Sequence, residues 1–598
     1  FGKPVKEFFT VGAMSATPPQ TNPLSILSDW KKTTPMGPGG IQTSHAITLD
    51  TRDVQPSHIG VLDPLSTPES GKVGVNVGLT VGVKKDGQDM LVPVMLKSGV
   101  KSYWPPLKIY ENYVGFPDEY RQTGSGIKPV GRSVRALYKG ESLIVPAKNV
   151  EAYLFSAQDM FSIASNLVPF MHATQGNRAS TAGRMLTQAM SLKEKEAPLV
   201  RVKDSKRNVV WEDAAGGFLN PVLGKMNVGN QIKNSTGTVT RVTDDYVYIR
   251  RDQDGKTIKK GLYNNFPLNQ DGFLHSKPLV KKGDKIKHDT PLSETNYSVG
   301  NTLSLGRNLK VAYMPYKGYN FEDGAVITES AAEKMAHESI ARKNIFFSPK
   351  TAVFELGKFR AHYPGTVDPE NRAKLDKEGL PIIGETFYPG EVLAAYLEER
   401  DLTDTDKVLR KLNKAIFSNY VKKVVEWDED EAGEVIDVRR SGRNIDIYLK
   451  STHPFKEGDK LAGRYGNKNI VTKIIPDSDA PHLPNGSAVD IILNPHGVPG
   501  RMNIGQMLET AAGKIARKTG KPYFVENFSS TDAANDIKQE MKKLNIESDE
   551  VLTDGKEGKP FENKVFVGDQ YFVKLRHTVK KKQGAHATGT YDINEQPT

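Results

Sequence analysis

The sequence contains no cysteine, which excludes disulfides, a cysteine nucleophile and any cysteine-ligated zinc or iron–sulfur centre. No apolar run approaches the ~18 residues that a membrane-spanning helix requires, and no signal-peptide core follows Phe1-Gly2-Lys3-Pro4. We therefore expect a cytoplasmic protein with no membrane partner, and, because position 1 is not methionine, a trimmed or incomplete chain. A Walker phosphate loop is missing too: the nearest approach, Gly255-Lys256-Thr257, has Arg250 where the first glycine belongs. There is no internal repeat and no low-complexity tail.

What is present is a long chain rich in turn residues. At 598 residues it exceeds what one hydrophobic core supports, so roughly three or four packed units are expected. With 37% hydrophobic and 26% charged residues, 53 Gly and 36 Pro, it reads as folded rather than disordered. Lys and Arg number 82 against 71 Asp and Glu, a net charge of +11. Such an excess suits a polyanionic partner, whose condensed counterions the cations displace, and suits an ordinary basic protein equally well.

The texture changes along the chain. Pro18 to Gly40 is a Pro/Gly/Ser/Thr-rich loop system. From about 80 to 155, β-rich runs such as Leu91-Val92-Pro93-Val94 and Ser142-Leu143-Ile144-Val145 alternate with turns such as Asp86-Gly87, predicting an antiparallel excursion. Between about 226 and 300, turn residues Asn234, Ser235 and Gly237 and the run Tyr246-Val247-Tyr248-Ile249 predict a small β-barrel or sandwich. Residues 331–452 behave as an insertion, with a helix near Thr405 to Leu412 and an acidic run, Glu426 to Glu431, ahead of Arg439, Arg440 and Arg443. A helix is expected from Ile504, capped by Asn503 with Gln506 in the reciprocal position.

Five local patterns carry possible chemistry. Lys460 and Lys468 lie eight residues apart in a run, Phe455 to Lys468, whose glycines let backbone approach phosphate, or which is simply a solvated turn. Arg501, at the end of Asn494-Pro495-His496-Gly497-Val498-Pro499-Gly500-Arg501, sits just before a helix N-terminus that favours anions, or packs on its own loop. Glu322 and Asp323 form an acid pair at a turn, suited to a hydrated Mg²⁺ or merely exposed. Arg178 opens a helical run, Ala179 to Met190, as a phosphate ligand or a solvated cation. Lys574-Leu575-Arg576-His577-Thr578-Val579-Lys580-Lys581-Lys582 alternates as a strand ending in a lysine cluster, a track for nucleic acid or a solvated strand end.

Singly these are weak; their joint order is specific. Lys6-Glu7-Phe8-Phe9, Asn22-Pro23-Leu24-Ser25, Met36-Gly37-Pro38-Gly39-Gly40, Arg52 to Gly60 through Thr67-Pro68-Glu69, Asn177-Arg178-Ala179, Met314 to Asp323, Gly458 to Lys468, Asn494 to Gln506 and Lys574 to Gly589 follow one another as in a known family. Together they resemble the β (second-largest) subunit of multisubunit DNA-dependent RNA polymerase, on its catalytic side. The resemblance implies a β-rich, mixed α/β multi-module chain with a double-psi β-barrel from segments near 303–330, 455–512 and 565–590 and an inserted flap. The implied divisions are a rifamycin-pocket and fork-loop segment (1–90), a β-rich excursion (91–155), a triphosphate-contacting helical segment (156–225), a β-barrel or sandwich with the first part of the double-psi barrel (226–330), the flap (331–452) and the rest of the barrel with the hybrid-binding region (453–598).

The same resemblance assigns roles. Arg178 and Arg501 would hold the incoming triphosphate, Lys460, Lys468 and Gln188 the RNA 3′ end or initiating nucleotide, and His577 with Lys582 the DNA–RNA hybrid. Glu69 falls in the fork region, and Glu322 and Asp323 would face a second Mg²⁺ mainly through water. The Asp-Phe-Asp-Gly-Asp motif that holds the first Mg²⁺ belongs to the β′ chain and is absent here, so activity as a nucleotidyltransferase is expected only with a β′-like partner. Further implied partners are an N-terminal β portion, a promoter-recognition factor, DNA template, RNA and NTPs. The family's N-terminal lobe and C-terminal anchor lie beyond this sequence, which with its divergence suggests a split β subunit of a giant bacteriophage. The inhibitor pocket departs from the bacterial pattern at Pro19, Asp29 and Thr34, and Arg184 stands where the family usually has asparagine. The alternative from another class is a β-like nucleic-acid-binding or assembly scaffold without chemistry, against which stand the retained Arg178, Lys460, Lys468, Arg501 and His577.

Overall fold

The structure, a computed structural model, describes residues 17–37, 40–69, 71–123, 126–214, 217–227, 236–287, 290–399, 419–529 and 531–579. Lys6 to Phe9, Asn234, Ser235, the expected helix at Thr405 to Leu412 and the cluster Lys580 to Lys582 lie outside the described residues. Two compact units emerge, one drawn from Phe1–Asn264, His275–Met335 and Phe455–Thr598, the other from Asn265–Leu274 and Ala336–Pro454.

In the first unit, a short helix α1 (Pro23–Trp30) begins with a reciprocal cap: Asn22 accepts from the Ser25 amide, and Ser25 accepts from the Asn22 amide. The Asn22 side-chain amide donates to the carbonyls of Leu186 and Ala189, at 2.9 Å each, and so fastens α1 to the end of α2 (Gly176–Thr187). The stretch from Lys84 to Leu154 forms a seven-stranded sheet whose turn at Asp86-Gly87 joins two antiparallel strands. Only one of its pairs, between 114–115 and 152–154, is parallel.

The segment expected as a small barrel or sandwich contains, among its described residues, an open four-stranded antiparallel sheet and short two-stranded sheets. The four-stranded sheet is built from β1 (Gly237–Val242), β2 (Tyr246–Arg251), β3 (Thr257–Gly261) and β4 (Lys285–Ile286) in the order β3-β2-β1-β4. Val239, Val247, Ile249 and Ile286 fill the core beneath it.

The centre of the unit is a closed six-stranded barrel of β5 (Arg307–Tyr313), β6 (Gly324–Thr328), β7 (Lys460–Ala462), β8 (Lys468–Ile475), β9 (Ile491–Leu493) and β10 (Val565–Lys574). Around the ring β5 pairs β9 in parallel, β9 pairs β6 antiparallel, β6 pairs β8 in parallel, and β8–β7, β7–β10 and β10–β5 close it antiparallel. Leu309, Val311, Ala325, Ile327, Val471, Ile491 and Phe572 pack on one side of the wall, while Ala312, Val326, Ile492 and Val567 pack on the other against Leu483, Val489 and Leu552. A strand covered on both faces, as β6 is, reads as an apolar run without alternation, which periodicity alone does not announce, whereas β8 keeps Lys468, Ile470 and Thr472 exposed. Helix α3 (Ile504–Thr519) lies along β10, its Ala512, Ile515 and Ala516 buried.

The second unit holds a four-stranded and a three-stranded sheet around a core containing Phe359, Phe387, Leu393, Trp427 and Leu449. Among the described residues, no helix is long and apolar enough to cross a membrane.

Candidate functional site

The β7–β8 hairpin fixes the two lysines. Ala462 lies opposite Lys468, and Lys460 is two residues back along β7, so both lysines share one face of the hairpin, roughly 8 Å apart by strand geometry. Lys468 is exposed and Lys460 half-buried. Their turn is anchored from inside by Arg464, 2% exposed, which donates to Glu509 Oε1 on α3 at 2.7 Å and to the Val200 carbonyl at 2.8 Å, and lies 3.7 Å from Glu212. Glu509 also accepts from the Tyr571 amide on β10 at 3.1 Å, and Glu212 from the Val202 amide. This buried triad joins hairpin, helix and barrel.

Burial raises the Glu212 carboxyl to about 7, outweighing the opposing pull of Arg464. The folded chain therefore keeps a proton that the unfolded chain releases above the ordinary value of 4.5, and the associated stability, fully present below 4.5, is lost as pH rises through about 7. Denaturation midpoints should fall over that window, by about 3 kcal/mol in all, and Glu212→Gln should flatten the profile. A flat profile in the unmodified chain would contradict the placement.

Arg178 stands in the first turn of α2, its Nη1 donating to the Gly466 carbonyl at 3.3 Å. The turn can come this close because Gly466, at φ +69°, has no side chain: a Cβ there would sit 2.4 Å from the Arg178 carbonyl oxygen. Gly466→Ala is expected to cost roughly 2–3 kcal/mol, from left-handed strain plus backbone displacement, and to separate Arg178 from the lysines; urea denaturation measures it. A loss below half of that would mean that the contact is loose.

Arg501 ends a short turn, Pro499–Arg501, and its guanidinium forms an ion pair with Asp323. Asp323 in turn accepts through its carbonyl from the amide of Ile470 on β8 at 3.0 Å, two residues beyond Lys468. Asn503, just before α3, pairs with Thr174, which leads into α2. The expected reciprocal cap is absent: the Asn503 side chain makes no capping bond, and the Gln506 amide donates to the Tyr313 hydroxyl instead. Met502 in left-handed conformation, φ 51°, turns the chain so that Asn503 enters a fully buried position.

The end of β10 differs in one respect from the cation-lined strand that the sequence predicts. The strand stops at Lys574, which is fully buried with its ammonium 3.5 Å from Asp459 and over the Phe455 ring. It therefore serves packing, since a buried ammonium requires a carboxylate partner. The following residues still reach the site: the Leu575 amide donates to the Lys460 carbonyl at 3.0 Å, and His577 Nε2 lies 3.3 Å from Gln188 Oε1. Helix α2 spans Gly176–Thr187 rather than Ala179 to Met190, which places Gln188 at its C-cap. Lys582 lies outside the described residues. Glu69 is exposed, on a loop that touches α2 where the Ser180 hydroxyl donates to the Thr67 carbonyl at 3.2 Å.

Contacts thus link Arg178, Lys460, Lys468, Asp323 and Arg501 into one continuous cluster, with Gln188 and His577 on its flank. Glu322 is exposed in left-handed conformation, φ 50°, beside Asp323. Among the described residues no group of three metal-ligating side chains occurs, so this acid pair can engage a cation through its waters but does not make a chelating set. Beyond α2 lies a cleft of about 550 Å³, lined by Pro19, Asp29, Lys32, Arg184, Gln188 and Arg576 among others, whereas Thr34 lines a separate cleft of about 380 Å³ with Arg52 and Asp53. Sequence reading weighed the lysines of the hairpin and passed over Arg464 between them; Glu509, eight residues after Arg501, and Glu212 carry no local pattern that announces them.

Residues 232–598 match the family RNA polymerase Rpb2, domain 6, and residues 17–84 match RNA polymerase Rpb2, domain 3. Curated proteins named DNA-directed RNA polymerase subunit beta are similar along nearly the whole chain. That of Borrelia duttonii (strain Ly) is 31% identical over 626 residues, covering 99% of this chain and 52% of its own length. That of Thermosipho melanesiensis is 30% identical over 644 residues, covering 99% and 53%, and that of Trieres chinensis 31% identical over 637, covering 100% and 44%. The chain spans about half the length of the curated relatives it matches.

Proposed function

Since this chain belongs to the RNA polymerase Rpb2 (β-subunit) family, we propose that it positions NTP, RNA 3′ end and DNA–RNA hybrid for Mg²⁺-dependent nucleotidyl transfer, together with a β′-like chain. The observation that carries this reading is the cation cluster mounted on a closed barrel: Arg178, the hairpin pair Lys460 and Lys468, and Arg501 come from three segments, joined by backbone contacts and by the Arg501–Asp323 ion pair rather than by each other. We read that barrel as the double-psi barrel, the unit of residues 336–454 as the flap, and the divisions at 90, 155, 225, 330 and 452 as those of the family.

In the reaction the RNA 3′-hydroxyl oxygen bonds to the α-phosphorus as the bond to the bridging oxygen of pyrophosphate breaks, and the hydroxyl proton leaves to solvent or base. Bound Mg²⁺, held chiefly by the partner chain, supplies charge neutralisation. This chain's part is electrostatic: Arg178 and the fork of Arg501 bind the triphosphate, and Lys460 and Lys468, on one hairpin face, hold the 3′ end against it. Asp323 keeps Arg501 extended until phosphate competes for it, and His577 with Gln188 borders the hybrid. The chain acts in the cytoplasm, beside an N-terminal β portion and a promoter-recognition factor.

Purification of the complex through this chain, followed by templated RNA synthesis, tests the proposal. Template-dependent product that needs both this chain and one bearing the aspartate motif supports it; a complex that binds nucleic acid and never extends RNA leaves the scaffold reading. The same assembly should resist rifamycins. Pro19 and Asp29 in the 550 Å³ cleft replace the family's aspartate and histidine, leaving ligand polar groups unpaired. Inhibition at concentrations that stop a sensitive bacterial enzyme would defeat that expectation.

A further inference from the structure

The open β1–β4 sheet separates its side chains sharply. Its inner face is apolar, as described above, and the strand period of two puts every second residue of β2, Tyr246, Tyr248 and Arg250, on the other face. Cross-strand register adds to that outer face. Arg250 lies opposite Thr238 on one side and Thr257 on the other, Thr238 lies opposite Lys285, and Tyr248 lies between Arg241 and Lys259. Arg241, Arg250, Thr257, Lys259 and Lys285 are exposed and the two tyrosines half-buried.

The tyrosine ring centroids are 6.3 Å apart, Lys259 Nζ stands 3.4 Å from the Tyr246 centroid, and the Arg241 guanidinium 5.8 Å from that of Tyr248. The neighbouring acids sit in the turns: Asp252 accepts from Thr236, Asp254 pairs with Arg251, Asp284 accepts from the Lys281 amide, and Asp244 and Asp245 lie exposed in the turn that joins β1 to β2. Among the described residues the strands of this face display two aromatic rings among four cations and carry no acid, the acids lying in the turns at their ends.

We propose that this face is a second nucleic-acid contact, a stacking platform for a single strand, in which bases lie on Tyr246 and Tyr248 while Arg241, Arg250, Lys259 and Lys285 follow the phosphates. Every base presents a π-face, so such a surface binds without reading sequence, and a duplex, whose bases are already stacked, cannot use the rings. The ring contacts of Lys259 and Arg241 keep the aromatic faces covered until a base displaces them. The platform is composed of other residues than the cation cluster and stands whether or not that cluster is catalytic.

The test uses the full chain and labelled oligo(U) and oligo(dT) of about 12 nucleotides, a length within the site size of known single-strand platforms. Tyr246→Ala/Tyr248→Ala should weaken binding roughly tenfold or more, and Tyr246→Phe/Tyr248→Phe should restore it to within about twofold, because stacking needs the ring and not the hydroxyl. Arg250→Ala should reduce the slope of log K against log salt by about 0.7. Ultraviolet cross-linking of a bromouridine-containing strand should mark the Tyr246–Arg251 peptide, and should still do so in Lys468→Ala/Arg501→Ala, which separates this face from the cluster. Comparison of the two oligomers identifies RNA or DNA as the occupant. Preference for duplex, an adduct confined to other peptides, or unchanged affinity in a folded alanine pair would overturn the proposal.

Discussion

Replacing Arg501 with alanine should lower kcat/KM for nucleotide addition by the assembled enzyme about 10²–10³-fold, the range seen when one preorganised donor to a developing negative charge is removed. The size follows from the position of the side chain. Arg501 is about three-quarters buried, at 27% exposure, and is held by its ion pair with Asp323, so little conformational freedom would remain to be lost on binding the proposed triphosphate. Arg501→Lys keeps the charge and loses the planar fork, and an intermediate loss of roughly tenfold is expected. Asp323→Asn frees the guanidinium without removing it. If Asp323 acts by aiming Arg501, the effect of Asp323→Asn should vanish in an Arg501→Ala background, a dependence that single-turnover kinetics on the double-mutant cycle measures. Equal effects in both backgrounds would mean that Asp323 acts on something other than Arg501.

The second large effect is expected at Arg464, which touches no proposed substrate. Arg464→Met should destabilise the first unit by about 3–5 kcal/mol, because it leaves Glu509 as a buried carboxylate without its cation. Arg464→Met with Glu509→Leu should recover most of that loss, since an apolar pair of similar volume removes the orphaned charge. Nucleotide addition separates structure from function here. The double variant is expected to fold and still extend RNA slowly, since the turn between Lys460 and Lys468 no longer has its tie to α3. Full activity in that variant would show that the lysines are held by the hairpin register alone. Denaturation must be followed with a probe in the first unit, because the two compact units need not melt together.

Much of this arrangement was legible in the residues. The hairpin lysines, the arginine before a helix and the acid pair at a turn were readable as separate motifs, and their order tied them to one family. β-rich runs set between turn residues also marked strands between about 80 and 155 and at Tyr246 to Ile249, where the structure has strands. What stayed hidden depends on long-range contact. Strands such as β6 are covered on both faces and so show no alternation, and the parallel pairs of the barrel join segments as distant as 311–313 and 491–493. Lys574 looked like one more exposed cation because nothing nearby in sequence announces Asp459, 115 residues earlier, as its partner. Gln506 has the spacing of a cap, yet the hydroxyl of Tyr313 offers it a buried partner, and a buried amide satisfied there has no reason to turn back to the helix end.

Photo-cross-linking of an azido-substituted NTP to the assembled enzyme, followed by peptide mapping, bears most directly on the idea that these scattered cations serve one phosphate-bearing substrate. Adducts on the peptides containing Arg178 and Arg501, both suppressed by unlabelled NTP and both reduced by Gly466→Ala, are the predicted result. Adducts on neither peptide, or on one alone with no response to Gly466→Ala, would contradict it.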